Sequence, residues 1–176
     1  MVHHVETLPP RELGPANLKQ YIREQAIAAE LIAPGAPMGT VTQAAQAIDA
    51  AEEQILKSLL FWDKTTGKSL LAIACGNDKI DLVRLAAVSQ LPRPRLAPAA
   101  HVLAVTGYPP GGVPPIGNAT PLAVIVDRQA TALETAYGGG GSEDFLLRVK
   151  TQDILRLTGA TVTTIVAPRG QIARRF

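Results

Sequence analysis

The chain has 176 residues, 47% of them apolar and 18% charged, with a net charge of +2 and a sequence pI of about 8.9. Such a composition excludes a disordered chain, fits one domain that buries about 70% of its unfolded surface, and permits an anionic partner without demanding one. A single cysteine excludes an internal disulfide, and with no leader-like start and no apolar run near the ~18 residues of a membrane span, the expected location is the cytoplasm.

Residues 1–16 carry three prolines and read as an extended arm; the adjacent His3 and His4 belong to a loose terminus, since neighbouring residues rarely share a metal. A helix is expected over Asn17–Glu30, capped by Asn17, with Leu18, Tyr21, Ile22, Ile27 and Leu31 at rough helical spacing. After the breaker at 33–39, Thr40 and Gln43 form a capping box for a short helix carrying Ala44, Ala45, Ala47 and Ile48. Gln54–Asp63 reads as a buried strand, and Ser69–Cys75 as its hairpin partner. Lys57 stands out in the first strand among Ile55, Leu56, Leu59 and Leu60. Either the strand has a wet face there, or Lys57 forms a pocket floor where its ammonium meets a carbonyl or phosphate oxygen.

A helix over Ile80–Ser89 follows, with Cys75 just ahead of it as an inert core thiol. Residues 91–96 form a basic, extended connector, and a helix from Pro98 runs to a C-terminus at Thr106 and Gly107. His101 lies on that helix with no partner in the sequence pattern. A strand is expected at Pro121–Asp127, then Thr135–Gly141 and Phe145–Val149 read as a strand, a second glycine loop and a strand, and a last strand at Thr161–Val166 follows a helix capped by Thr151 and ended by Gly159. The alternation predicts an α/β or α+β domain with a mixed sheet.

Residues 106–117 hold four glycines and four prolines in twelve positions. The N–H groups of Gly111, Gly112 and Val113 fall between two proline pairs, with no helix or ladder to join. Such a loop is either a structural turn or one whose own backbone binds an oxyanion or carbonyl. The chain carries no Gly-x-Ser-x-Gly elbow, His-Glu-x-x-His, Cys-x-x-Cys, phosphate-binding P-loop or strand-following Gly-x-Gly-x-x-Gly.

The order of motifs is informative: Lys57-Ser-Leu-Leu-Phe, Asp78-Lys-x-Asp81-Leu, Thr106-Gly-Tyr-x-x-Gly-Gly-x-x-Pro-x-Gly117, a buried strand ending in Asp127, then Tyr137-x-Gly-Gly-Gly. It resembles the YbaK/EbsC-type aminoacyl-tRNA deacylases, relatives of the editing insertion domain of bacterial prolyl-tRNA synthetases. The resemblance covers residues 17–176, read as one editing domain after the arm. It implies a compact α+β fold, a mixed and partly barrel-like sheet surrounded by short helices. It also implies trans-editing: hydrolysis of the ester between a wrong amino acid, cysteine or another small one, and tRNA, with no cofactor or metal. Lys57 falls on the family's essential lysine and Gly111 on the first glycine of its functional pair, so Lys57, Gly111 and Gly112 are the expected catalytic residues. Thr106, Gly107, Tyr108, Val113, Gly140, Gly141 and Ser142 are expected to line the substrate site. The partner is the acceptor end of an aminoacyl-tRNA, with a synthetase as a possible presenter and no membrane or DNA. Arg93, Arg95, Arg169, Arg174 and Arg175 are the expected phosphate contacts. The residues that mark the cysteine and alanine branches are missing, so the amino acid stays open. A non-catalytic aminoacyl- or tRNA-binding module, and a small-molecule-binding domain using the same pocket, are the alternatives.

Overall fold

The frequent proline and glycine punctuation cuts the chain into short elements, and the computed structural model, which describes residues 11–176, assembles them into two sheets. His3, His4 and most of the expected N-terminal arm lie outside the described residues.

Helix α1 spans Pro15–Glu24, with proline at its first position and the Asn17 Oδ1 accepting the Gly14 N–H at 3.0 Å. It stops about a turn and a half short of the expected end, where Ala26 turns to φ +51°. Glu30, the last residue of the expected helix, instead opens strand β1 (Glu30–Ile32), which pairs with a strand over a hundred residues later. Helix α2 (Val41–Ala47) starts as expected, the Thr40 hydroxyl accepting the Gln43 N–H at 3.1 Å. A 3-10 turn at Glu52–Gln54 leads into β2 (Leu56–Trp62), which forms the expected hairpin with β3 (Ser69–Cys75), Leu56 opposite Cys75 and Trp62 opposite Ser69.

Buried Asp63 ties the hairpin turn together. Its Oδ1 accepts the amides of Thr65 and Thr66, and its Oδ2 reaches across to the Arg93 amide at 2.8 Å. Helix α3 (Leu82–Val88) is capped by Asp81, which also receives the Arg174 guanidinium at 2.8 Å. Strand β4 is only Arg95–Leu96. Helix α4 (Ala99–Thr106) ends at Gly107 in the left-handed region, φ +79°, as a C-terminal glycine does. Strand β5 (Ala123–Asp127) delivers buried Asp127, whose carboxylate accepts the Gln129, Ile165 and Val166 amides. The hairpin β6 (Thr135–Gly139) and β7 (Leu146–Lys150) is followed by α5 (Thr151–Thr158) and β8 (Thr161–Thr163). Thr151 is the first helical residue, not the cap: Lys150 precedes the helix, and the Thr151 hydroxyl is buried without a partner.

The five-stranded sheet runs β4-β2-β3-β5-β8, antiparallel up to β3 and parallel beyond it; the three-stranded sheet β1-β7-β6 is antiparallel. A single parallel bridge, Ile55 to Tyr137, joins β6 to the start of β2. The sheets therefore meet along one short seam and do not close into a barrel. The main core lies between them and α1, around Leu18, Leu60, Leu71, Ile73, Ile116 and Leu147. No helix among the described residues is long and apolar enough to cross a membrane.

Candidate active site

The geometry of the site begins with the hydrogen bonds of one strand. The Gly76 N–H donates to the Ile55 C=O at 2.6 Å, and the Asp63 N–H to the Lys68 C=O at 3.0 Å. Every second residue of an antiparallel pair exchanges bonds with its partner, so the odd-numbered residues of β2 turn their main chain to β3. The N–H and C=O of Ser58 therefore point to the opposite edge. On that edge β6 touches only at Ile55, and β4 takes over only at Leu60, whose C=O accepts the Ala97 N–H at 2.9 Å. Between those points the edge is open at Ser58. The Ser58 hydroxyl is also buried without a hydrogen-bond partner among the described residues.

A cleft of about 270 Å³ fills this gap. Lys57, Ser58 and Leu59 form one side, Gly111 and Val113 another, and Gly138 and Gly139 a third. Met38 and Val41, at the start of α2, close it with apolar surface. The glycines of β6 are needed because the proline-glycine loop lies directly on the strand. A Cβ on Gly138 would meet the Pro115 ring at 2.9 Å, and one on Gly139 would strike the Val113 carbonyl.

Three of the expected site residues thus share the cleft: Lys57, Gly111 and Val113. Gly111 is exposed, has φ +83°, and has open space where a side chain would start; its N–H has no partner among the described residues. The Gly112 amide is not free as expected. It donates to the Pro109 C=O at 3.0 Å, its own C=O accepts the Gly141 N–H at 2.9 Å, and a Cβ would come within 2.7 Å of Ser142 Cα. Gly112 is a packing glycine.

The other expected lining residues are structural neighbours. The Thr106 hydroxyl, buried, contacts the Val102 C=O at 2.8 Å and accepts the Tyr108 N–H at 3.1 Å. Gly107 leaves no room beside Leu13, and Tyr108 is 1% exposed with its hydroxyl 3.3 Å from the Gly117 C=O. Burial pushes the Tyr108 phenol up to about 12. Gly140 packs on Phe145, and Gly141 on the Gly14–Pro15 start of α1, while Ser142 braces the back of Gly112. None of these six lines the cleft. The residues that pattern reading missed are Met38, Val41, Ser58, Gly138 and Gly139. Ser58 carried a signal, a second polar residue beside Lys57 in an apolar run, whereas the first two looked like a breaker and a helix start.

Lys57 is partly buried, and its Nζ donates to the Asp78 C=O at 3.1 Å. Desolvation pulls its pKa below the ordinary lysine value; the Asp78 carboxylate opposes that and the Lys79 charge adds to it. Lys57 thus sits on a half-wet face of β2 and also walls the cleft. Cys75 is buried outside the cleft, its thiol pushed up to about 11 chiefly by desolvation and then by nearby carboxylates. His101 does find a partner, the Ser69 hydroxyl at 2.9 Å from its Nε2, and its ring lies 4.5 Å from that of Trp62. That pair lies outside the cleft lining, and no carboxylate among the described residues is bonded to the imidazole, so the third member of a nucleophilic triad is missing there. No group of three or more metal-binding side chains occurs among the described residues.

The profile of a family described as aminoacyl-tRNA editing domain matches residues 36–157. The proline–tRNA ligase of Ralstonia nicotianae is 27% identical over 136 residues, a match covering 67% of this chain and 24% of the ligase. That of Streptococcus equi subsp. equi is 29% identical over 110 residues, covering 61% and 17%. The chain thus spans a quarter or less of the length of these curated relatives. A solved structure described as a candidate trans-editing enzyme for prolyl tRNA synthetase superposes with a TM-score of 0.77 at 27% identity, over 88% of this chain and 97% of the other. A hypothetical protein of known structure gives 0.79 at 29% identity, over 86% and 99%.

Proposed function

The chain belongs to the aminoacyl-tRNA editing domain family, and from that premise we propose that it hydrolyses the ester of wrongly charged tRNA. One observation carries this reading: Lys57, the unpaired Gly111 amide and the open edge of β2 at Ser58 converge on one small cleft that holds no serine, cysteine or histidine nucleophile–base pair. An aminoacyl ester is already activated, so donors for the developing oxyanion and a positioned water suffice.

The acyl carbonyl sits against the Gly111 N–H, the water attacks its carbon, and the free ribose hydroxyl beside the ester takes the water's proton while passing its own to the esterified ribose oxygen. Collapse of the tetrahedral intermediate breaks the bond to the esterified ribose oxygen, which leaves with a proton. The products are the free amino acid and uncharged tRNA. The Ser58 N–H, C=O and hydroxyl hold the α-amino and carbonyl end of the substrate, and the Lys57 ammonium orients the acyl-adenosine end. The cleft must hold the ester and ribose within about 270 Å³, beside Met38 and Val41, which favours a small acyl side chain. Relatives that are proline–tRNA ligases support proline's tRNA as the carrier.

The test is a panel of tRNAs charged with alanine, cysteine, serine or proline. Release of one small, mismatched amino acid well above the spontaneous rate is expected. Uniformly uncatalysed hydrolysis, with or without binding, refutes the proposal.

A further inference from the structure

We infer that a second, basic groove beside the cleft binds the single-stranded 3′ end of the acylated RNA, a reading that rests on the function proposed above. The groove encloses about 610 Å³, within the range of ligand sites, and shares Lys57 and Leu59 with the cleft. Its lining holds five of the chain's 17 lysines and arginines, namely Lys57, Lys79, Arg93, Arg95 and Arg175, against one of its 15 acidic residues, Asp78. On a chain with a net charge of only +2 this is a concentrated positive field.

None of the five enters an ion pair among the described residues. Arg169 and Arg174, expected from the sequence to meet phosphates, are instead engaged by Asp78 at 3.5 Å and Asp81 at 2.8 Å. The backbone also holds two of the free arginines in place: the Arg93 amide is tied to Asp63, and Arg95 is paired with Trp62 across β4. Between the cations runs an apolar floor of Leu59, Phe61 and Leu96, closed by Phe176. Leu96 is 60% exposed and Phe176 70%, apolar surface that nothing among the described residues covers.

Guanidinium groups flanking a flat apolar floor suit a nucleotide strand, with phosphates on the cations and base faces on the floor. An acidic peptide would satisfy the charges and leave the floor unused. Continuity decides the occupant. An ester seated against Gly111 continues into a ribose, a phosphate and the preceding nucleotide, and past Lys57 the groove is where that strand can run.

The experiment uses a fluorescent, uncharged RNA tetranucleotide ending in CCA, followed by anisotropy between about 50 and 200 mM salt. Its three internal phosphates predict a slope of log affinity against log salt of about −2. Arg93→Glu/Arg95→Glu should weaken binding at least about tenfold, and Phe176→Ala about fivefold or more. Arg23→Glu/Arg148→Glu, the same charge change on α1 and β7, should stay within about twofold of the parent. Equal losses in the two double variants, or a slope near zero, overturn the groove. So does full displacement by inorganic phosphate combined with no effect of Phe176→Ala. Because binding is read without an acyl group, the two proposals fail separately. Intact oligonucleotide binding with no hydrolysis of charged tRNA sinks the deacylase and leaves the groove, and hydrolysis without groove-dependent binding does the reverse.

Discussion

Gly111→Ala tests the donor assignment at the cleft, because the structure separates its effect on the fold from its effect on the reaction. The added methyl meets nothing within 4 Å, so no packing is disturbed, and the penalty comes from φ +83° alone. That strain is about 1 kcal/mol, a drop of roughly 2–4 °C in Tm for a chain of this size. The loop can relieve it only by rotating the Gly111 peptide, which moves the N–H away from the ester. Loss of one oxyanion donor lowers kcat by about 10²–10³, far more than the stability change explains. Gly112→Ala is the contrast: its Cβ would stand 2.7 Å from Ser142 Cα and 2.8 Å from Ser142 N, and the Gly112 amide is already bonded to Pro109. Overpacking of that kind costs about 1–3 kcal/mol, so Gly112→Ala should lose more thermal stability than Gly111→Ala. The assay is single-turnover deacylation of the tRNA found active in the panel, with Tm measured on the same samples. A Gly111→Ala enzyme that keeps kcat within threefold of the parent refutes the assignment.

Lys57→Ala removes the ammonium and its bond to the Asp78 carbonyl, and kcat/KM should fall at least about tenfold, or 1.4 kcal/mol, with Tm within a few degrees; near-normal turnover moves the site elsewhere. Cys75→Ala should keep deacylase activity, since a thiol pushed up to about 11 is protonated at neutral pH, and an inactive but folded variant would expose a missed nucleophile. The Arg93 amide leads in holding the Asp63 carboxyl below its ordinary range, against desolvation and with help from Thr65 and Thr66. A depressed carboxyl adds stability above its unfolded pKa and loses it as pH falls through the folded one. Asp63→Asn should therefore melt below the parent at pH 7, with the gap closing below about pH 4; a constant gap in a pH series of melts contradicts this.

Local features were legible because their causes are local. The β2–β3 hairpin follows from two apolar runs around a polar turn, Thr40 announces α2, and Gly107 and Gly159 end helices in the left-handed region that suits glycine. The misreadings arise where distant segments decide. Leu31 has helical spacing from α1, yet its strand is held by Leu147 on β7, and no local pattern contains that partner. At the site, Lys57 and Gly111 were legible as oddities: a cation in an apolar strand and a bare amide between prolines. Gly112, Gly140 and Gly141 looked equivalent to Gly111 because the letter is the same. Their differing roles depend on which backbone lies opposite, Ser142, Phe145 or Pro15, and that is set by the docking of the loop on β6. Ser58 required the phase of the ladder, which two hydrogen bonds at the ends of the hairpin supply.

The short opening in the edge of β2 also bears on self-association. The strand reads Leu-Lys-Ser-Leu-Leu-Phe-Trp, a run of high β-propensity of the sort that pairs with copies of itself when its edge is bare. In the folded chain β6 holds one end of that edge and β4 the other, so too little main chain is exposed to seed an intermolecular sheet. The two residues of β4 thus act as a guard as well as a wall of the groove. A variant in which residues 91–96 detach, as loss of the Asp63–Arg93 bond would encourage, should be recognised first by aggregation on warming rather than by a reversible loss of structure.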